Sequence, residues 1–210
     1  MKTLKQFLTR LARFLGLVTV PETLDQLTAL ARRIEPRATG EFLKLAESQK
    51  LILKDIYARA RESRGQPGGE TVTLFAGLNN SGKTSAAEAI AMDLHRDLYR
   101  VDSNRVISKY IGETEKNLTR LLNAAELTNA ILFFDEADAL FGKRSEVKDA
   151  HDRYANIEVD YLLQQLEAFK GVAIMATNSE EDTSDNFRRR IRFVIDFPYP
   201  DSDEEEDLQG

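Results

Sequence analysis

The stretch Gly77-Leu78-Asn79-Asn80-Ser81-Gly82-Lys83-Thr84 satisfies the pattern GxxxxGK[ST] at full spacing. It sits between an apolar run, Thr71 to Ala76, and the helix-forming Ser85-Ala86-Ala87-Glu88-Ala89-Ile90-Ala91. A strand that delivers the chain to such a loop lets amide N–H groups converge on phosphate oxygens, and the helix then begins with its positive dipole end at the same point. Residues Gly77, Leu78, Asn79, Asn80, Ser81, Gly82, Lys83, Thr84 and Ser85 are therefore the expected phosphate cradle. Lys83 is expected to reach the β/γ-phosphates and Thr84 to offer its hydroxyl to Mg²⁺. No other feature limits the fold as strongly, because a strand–loop–helix of this type belongs in an α/β sheet.

The rest of the chain agrees. Short apolar runs alternate with helical segments: strand 72–76, helix 83–94, strand 98–101, helix 114–127, strand 130–134, helix 153–168, strand 171–176, a helix near 185–190 and strand 192–197. That alternation predicts right-handed crossovers and a three-layer αβα sandwich around a mostly parallel five-stranded sheet. Upstream, residues 17–20 read as a short extended piece. A helix starting near Pro21 carries Leu24, Leu27, Leu30 and Ala31 to about Arg33, a break follows at 36–40, and a second helix covers about 41–63. Arg64-Gly65-Gln66-Pro67-Gly68-Gly69-Glu70 is the clearest linker. The expected division is a helical segment 1–63, a linker 64–70, a nucleotide-binding core 71–198 and an acidic tail 199–210.

A length of 210 residues with 42% hydrophobic content suits one α/β domain with an appendage. There is no cysteine, which excludes disulfides, thiolate metal sites and a cysteine nucleophile, and His95 and His151 are too few for a zinc site. A net charge of −6 argues against a nucleic-acid footprint. The acids 201–207 read as a solvated tail, whereas residues 1–20 hold Lys2, Lys5, Arg10 and Arg13 and no acid. Leu4, Phe7, Leu8, Leu11, Phe14 and Leu15 form an apolar stripe on that basic segment. Four readings of it stay open: a helix docking on its own domain, a partner helix, a peripheral membrane contact through residues 1–16, or an organelle presequence. No run approaches the ~20 apolar residues that span a bilayer. A soluble or peripheral protein, cytoplasmic unless the basic helix targets an organelle, is the expectation.

Ile131-Leu132-Phe133-Phe134 runs into Asp135-Glu136. Buried parallel strands read as unbroken apolar runs, and acids at their C-terminal ends face the crevice where such sheets bind ligands. Asp135 is suited to hold Mg²⁺ indirectly, and Glu136 to orient and deprotonate water. Asn178, ending the next apolar strand, offers a neutral amide to the attacking water or the γ-phosphate.

Together these residues resemble the AAA+ ATPases, in the AAA subgroup with a second region of homology, over about residues 71–198. Phe133-Phe134-Asp135-Glu136-Ala137-Asp138-Ala139-Leu140-Phe141 is similar to the family's Walker B stretch, Ala176-Thr177-Asn178 to its sensor 1, and Phe187-Arg188-Arg189-Arg190-Ile191-Arg192-Phe193 to its arginine-finger segment. The resemblance implies ATP/ADP and Mg²⁺ as ligands, Arg189 and Arg192 as fingers acting on a neighbouring subunit's ATP, a hexameric ring, and a protein substrate. Ser108-Lys109-Tyr110-Ile111-Gly112-Glu113 is similar to the family's pore loop, with Tyr110 and Ile111 as its aromatic-apolar step.

The departures are specific. Leu78, Asn79, Asn80 and Ser81 replace the usual variable residues of the phosphate loop, and asparagine tolerates left-handed backbone. Ser184 and Asn186 stand where the family has Asp and Ala. The sequence ends at Gly210, where the family continues into a helical lid, and on that ground a largely monomeric chain with weak binding and slow turnover is expected. Two other functions stay open: a nucleotide-gated assembly or scaffold module with little hydrolysis, and a nucleic-acid remodeller of similar fold.

Overall fold

A computed structural model describes residues 20–37, 47–62, 71–108, 110, 112–137, 161–178, 191 and 193–197. Helix α1 is Val20–Leu30, strand β1 Ala31–Ile34, helix α2 Glu47–Glu62, strand β2 Thr71–Ala76, helix α3 Lys83–Leu94 and strand β3 Leu98–Val101. A short helix α4 (Ser103–Val106) leads to α5 (Glu113–Thr128), β4 (Ile131–Phe134), helix α6 over 161–168, β5 (Val172–Thr177) and β6 (Phe193–Asp196). Among these, no helix is long and apolar enough to cross a membrane.

The strands form one sheet in the order β1-β3-β4-β5-β2-β6. Every pairing is parallel except β1 with β3. Strands β4 and β5 are buried at every position, as expected for strands covered on both faces. Their alternate side chains feed two cores. Leu132 and Phe134 point to one, with Leu27 of α1, Leu118, Leu121 and Leu122 of α5, and Leu162, Leu163 and Leu166 of α6. Ile131 and Phe133 point to the other, with Leu53 and Ile56 of α2 and Ala86, Ala87 and Ile90 of α3. This is the three-layer αβα sandwich read from the sequence.

The sheet has six strands, not five. The sequence reading carried the first helix to about Arg33, whereas the helix ends at Leu30 and Ala31–Ile34 becomes the extra strand. The reason is non-local. Strand β3 presents an open edge, and Ala31, Arg32, Arg33 and Ile34 pair with it antiparallel, Ala31 against Val101 and Ile34 against Leu98. The Arg33 guanidinium then lies 2.7 Å from Asp97, and exposed Arg32 and Arg33 leave a charged outer edge that discourages further pairing. Val20, expected to close an extended piece, instead opens α1, with Pro21 in the first turn where a missing N–H is harmless. Helix α4 was not expected; Asp102 caps it by accepting from the Asn104 amide at 3.1 Å. Residues 17–19, the linker 64–70, the helix near 185–190 and the tail 199–210 lie outside the described residues, as do residues 1–16.

Candidate nucleotide-binding site

The loop between β2 and α3 is built by backbone conformations its sequence allows. Gly77 has φ 151° and Gly82 φ 97°, and Asn80 adopts the left-handed region at φ 63°, the tolerance expected of asparagine. A Cβ on Gly77 would come within 2.9 Å of the Phe197 Cβ. Phe197 follows β6 directly; its amide donates to the Ala76 carbonyl at 2.7 Å and its ring packs 5.1 Å from that of Phe75. Phe197 is thus a floor under the loop that the sequence reading did not single out. Gly82 is the N-cap of α3 and has no side chain to accept from the first-turn amides, so those N–H groups are available to an anion.

Across the crevice, β4 ends at Phe134 and the turn after it carries Asp135 and Glu136, and β5 ends at Thr177, next to Asn178. Glu136 sits at φ 51°, a conformation that costs a non-glycine residue about 1–2 kcal/mol. It is held there by the Ala137 amide, which donates to the Ala176 carbonyl at 2.8 Å, and by its own amide, which donates to Asp135 Oδ1 at 3.1 Å. A cavity of about 560 Å³ is lined by Asn79, Asn80, Gly82, Lys83, Thr84, Ser85, Asp135, Glu136 and Asn178. Lys83 is buried, at 6% exposure, and an ammonium so enclosed needs acceptors. It donates to the carbonyls of Gly77 at 2.5 Å and Leu78 at 2.6 Å and to Asn178 Oδ1 at 3.2 Å. Asp135 has a partner the sequence reading missed: Arg100 on β3, whose Nη2 lies 2.6 Å from Oδ2. Strand register alone reveals that pairing.

Residues 73–199 match the family described as "ATPase family associated with various cellular activities (AAA)". The chain belongs to the AAA ATPase family. The "Cell division protein C" of Sulfolobus acidocaldarius is 30% identical over 190 residues, which is 85% of this chain and 51% of that protein. The "26S proteasome regulatory subunit 10B homolog A" of Arabidopsis thaliana is 32% identical over 142 residues, 64% of this chain and 36% of that protein. This AAA chain therefore spans about half the length, or less, of these relatives. Among solved structures, the FIGL-1 AAA domain in complex with ADP superposes with a TM-score of 0.60 at 20% identity, covering 91% of this chain and 67% of the other. The chain matched in the E. coli MS115-1 HORMA:CdnC:Trip13 complex gives 0.64 at 18%, covering 88% and 74%. At these identities the structural matches speak for the fold.

A nucleotide fits the residues of this AAA core. The α3 amides and the Lys83 ammonium suit phosphate oxygens, which can replace the loop carbonyls that Lys83 now uses. The buried Ser81 hydroxyl has no hydrogen-bond partner among the described residues, but it lies against Gly77 and outside the cavity lining. For Mg²⁺ the protein offers oxygen donors, Thr84 at the mouth and Asp135 opposite. Among the described residues no group of three or more His, Cys, Asp or Glu could hold a metal; one or two protein oxygens completed by phosphates and water is the habit of Mg²⁺. Gly77 and Leu78 belong to the loop but not to the cavity lining, and contribute carbonyls to Lys83. Tyr110 stands 73% exposed before α5, away from the cavity lining. Ile111, Arg189 and Arg192 lie outside the described residues.

Proposed function

We propose that this chain is the ATP-binding and ATP-hydrolysing core of a ring-forming AAA assembly that remodels a protein partner. The observation carrying this reading is the convergence of Lys83, Thr84, Asp135, Glu136 and Asn178 on one cavity. In it the α3 amides and Lys83 bind and orient the β/γ-phosphates. Mg²⁺, held through Thr84 and Asp135, would neutralise charge on the phosphates. Glu136 orients a water and takes its proton as the water oxygen bonds to the γ-phosphorus, while the bond from that phosphorus to the bridging oxygen breaks and ADP departs. Asn178 steadies the water or the γ-phosphate. Arg189 and Arg192 would complete the site from a neighbouring subunit, where an inserted guanidinium is worth roughly 10³–10⁵ in rate.

The partner part of the proposal draws support from the proteasome regulatory subunits and the HORMA:CdnC:Trip13 complex among the similar proteins, and from Tyr110, exposed where the pore-loop resemblance falls. A packing aromatic grips an extended polypeptide without reading its sequence. A nucleotide-gated scaffold with little turnover is the second reading, favoured by Lys83 and Asp135 both being satisfied within the protein. Steady-state phosphate release separates the two. Glu136→Gln should bind ATP normally and hydrolyse at least about 100-fold more slowly than the parent. Equal rates would remove Glu136 from the role of base, and a parent without turnover that still assembles on ATP would favour the scaffold.

A further inference from the structure

Both oxygens of the Asp135 carboxylate are engaged by the protein. Oδ1 accepts from the Glu136 amide at 3.1 Å and Oδ2 lies 2.6 Å from Arg100 Nη2. Arg100 belongs to β3 and stands in register with Phe133 of β4, two residues before Asp135, whose carboxylate its guanidinium reaches. Exposure is unequal across the pair, 17% for the Asp135 side chain and 51% for Arg100. The carboxylate is held at the cavity by a buried strand, whereas the half-exposed guanidinium can withdraw into water. A carboxylate so enclosed needs a cation nearby, and Thr84 lines the same cavity.

From this juxtaposition we propose that Arg100 is a stand-in cation for the metal. It neutralises Asp135 while no divalent ion is present and must release Oδ2 before Mg²⁺ bound with nucleotide can use that carboxylate. Arg100 is then a positioning residue that sets how strongly nucleotide binding depends on metal. The inference rests on the nucleotide reading for its role, though the Arg100–Asp135 pair itself stands on geometry alone.

The test is calorimetry of ADP binding to the full chain in Mg²⁺ and in EDTA, for the parent, Arg100→Gln and Arg100→Lys. Arg100→Gln should raise the ratio of the two affinities about two- to fivefold, the scale expected for losing one partly exposed ion pair, with the EDTA value changed by less than about twofold. Arg100→Lys should return the ratio towards the parent. An unchanged or lower ratio in Arg100→Gln overturns the proposal. A second measurement omits nucleotide: millimolar Mg²⁺ alone should raise the thermal midpoint of Arg100→Gln more than that of the parent, and Asp135→Asn added to Arg100→Gln should abolish the difference. Equal shifts in all three proteins overturn it. If the parent binds no ADP in either buffer, the nucleotide reading falls, and the Mg²⁺-only comparison still decides the fate of Arg100.

Discussion

At the scale of single residues, the site is a set of charges that satisfy one another until something better arrives. Lys83 illustrates this, with three acceptors drawn from its own loop and from Asn178. Lys83→Ala should fold and lose ATP binding altogether in calorimetry; parent-like affinity would refute the phosphate-loop assignment. Gly77→Ala should destabilise the fold by about 1–3 kcal/mol, because its Cβ would meet the backbone and Cβ of Phe197, and a thermal midpoint equal to the parent's would show that the floor can move. Much of this scale was legible beforehand. The cradle spacing, the acids after an apolar strand, and asparagine in a left-handed turn are local features, and local features are written in order along the chain. Arg100 was not legible, since its bond to Asp135 depends on which strands lie side by side and in what register.

Elements show the same division. Strands β2, β4 and β5 announce themselves as apolar runs because both faces are covered, and α3 and α5 end near where periodicity predicts, at left-handed His95 and Asn129. Strand β1 could not be read, because Leu24, Leu27 and Leu30 set a helical period that Ala31 continues, and the open edge of β3 that captures the chain lies far away in sequence. Helix α1 covers α5 through fully buried Leu27, so Leu27→Ala should cost about 2–5 kcal/mol in chemical denaturation, far more than an unattached N-terminal helix would show. Helix α2 is tied to the turn after α3 by Arg96, which donates to the Ala60 carbonyl, and to α3 itself by Tyr57 against Asp93. Burial first, then the hydrogen bond to Asp93, raises the Tyr57 phenol above its ordinary value. The folded protein therefore keeps a proton that the unfolded chain releases above about pH 10, so stability is full below that pH and falls as pH rises through it. The thermal midpoint of the parent should drop more steeply there than that of Tyr57→Phe.

For the whole molecule, the proposal of a shared catalytic site has a direct consequence. A chain lacking Lys83 retains its arginines, and one lacking Arg189 retains its cradle, so mixing Lys83→Ala with Arg189→Ala should recover part of the turnover that neither has alone. Silent mixtures despite demonstrated co-assembly would count against a finger in trans. The order of strands also bears on how the protein comes into being. Strand β2, which presents the phosphate loop, is flanked by β5 and β6, with Thr71 facing Val172 and Thr73 facing Phe193. On a ribosome, β1, β3 and β4 can zip together early, while β2 waits single-stranded until the last quarter of the sequence has emerged. On the nucleotide reading, the phosphate loop is then competent only once β5 and β6 have emerged, and a nascent chain stalled before Val172 would be blind to ATP.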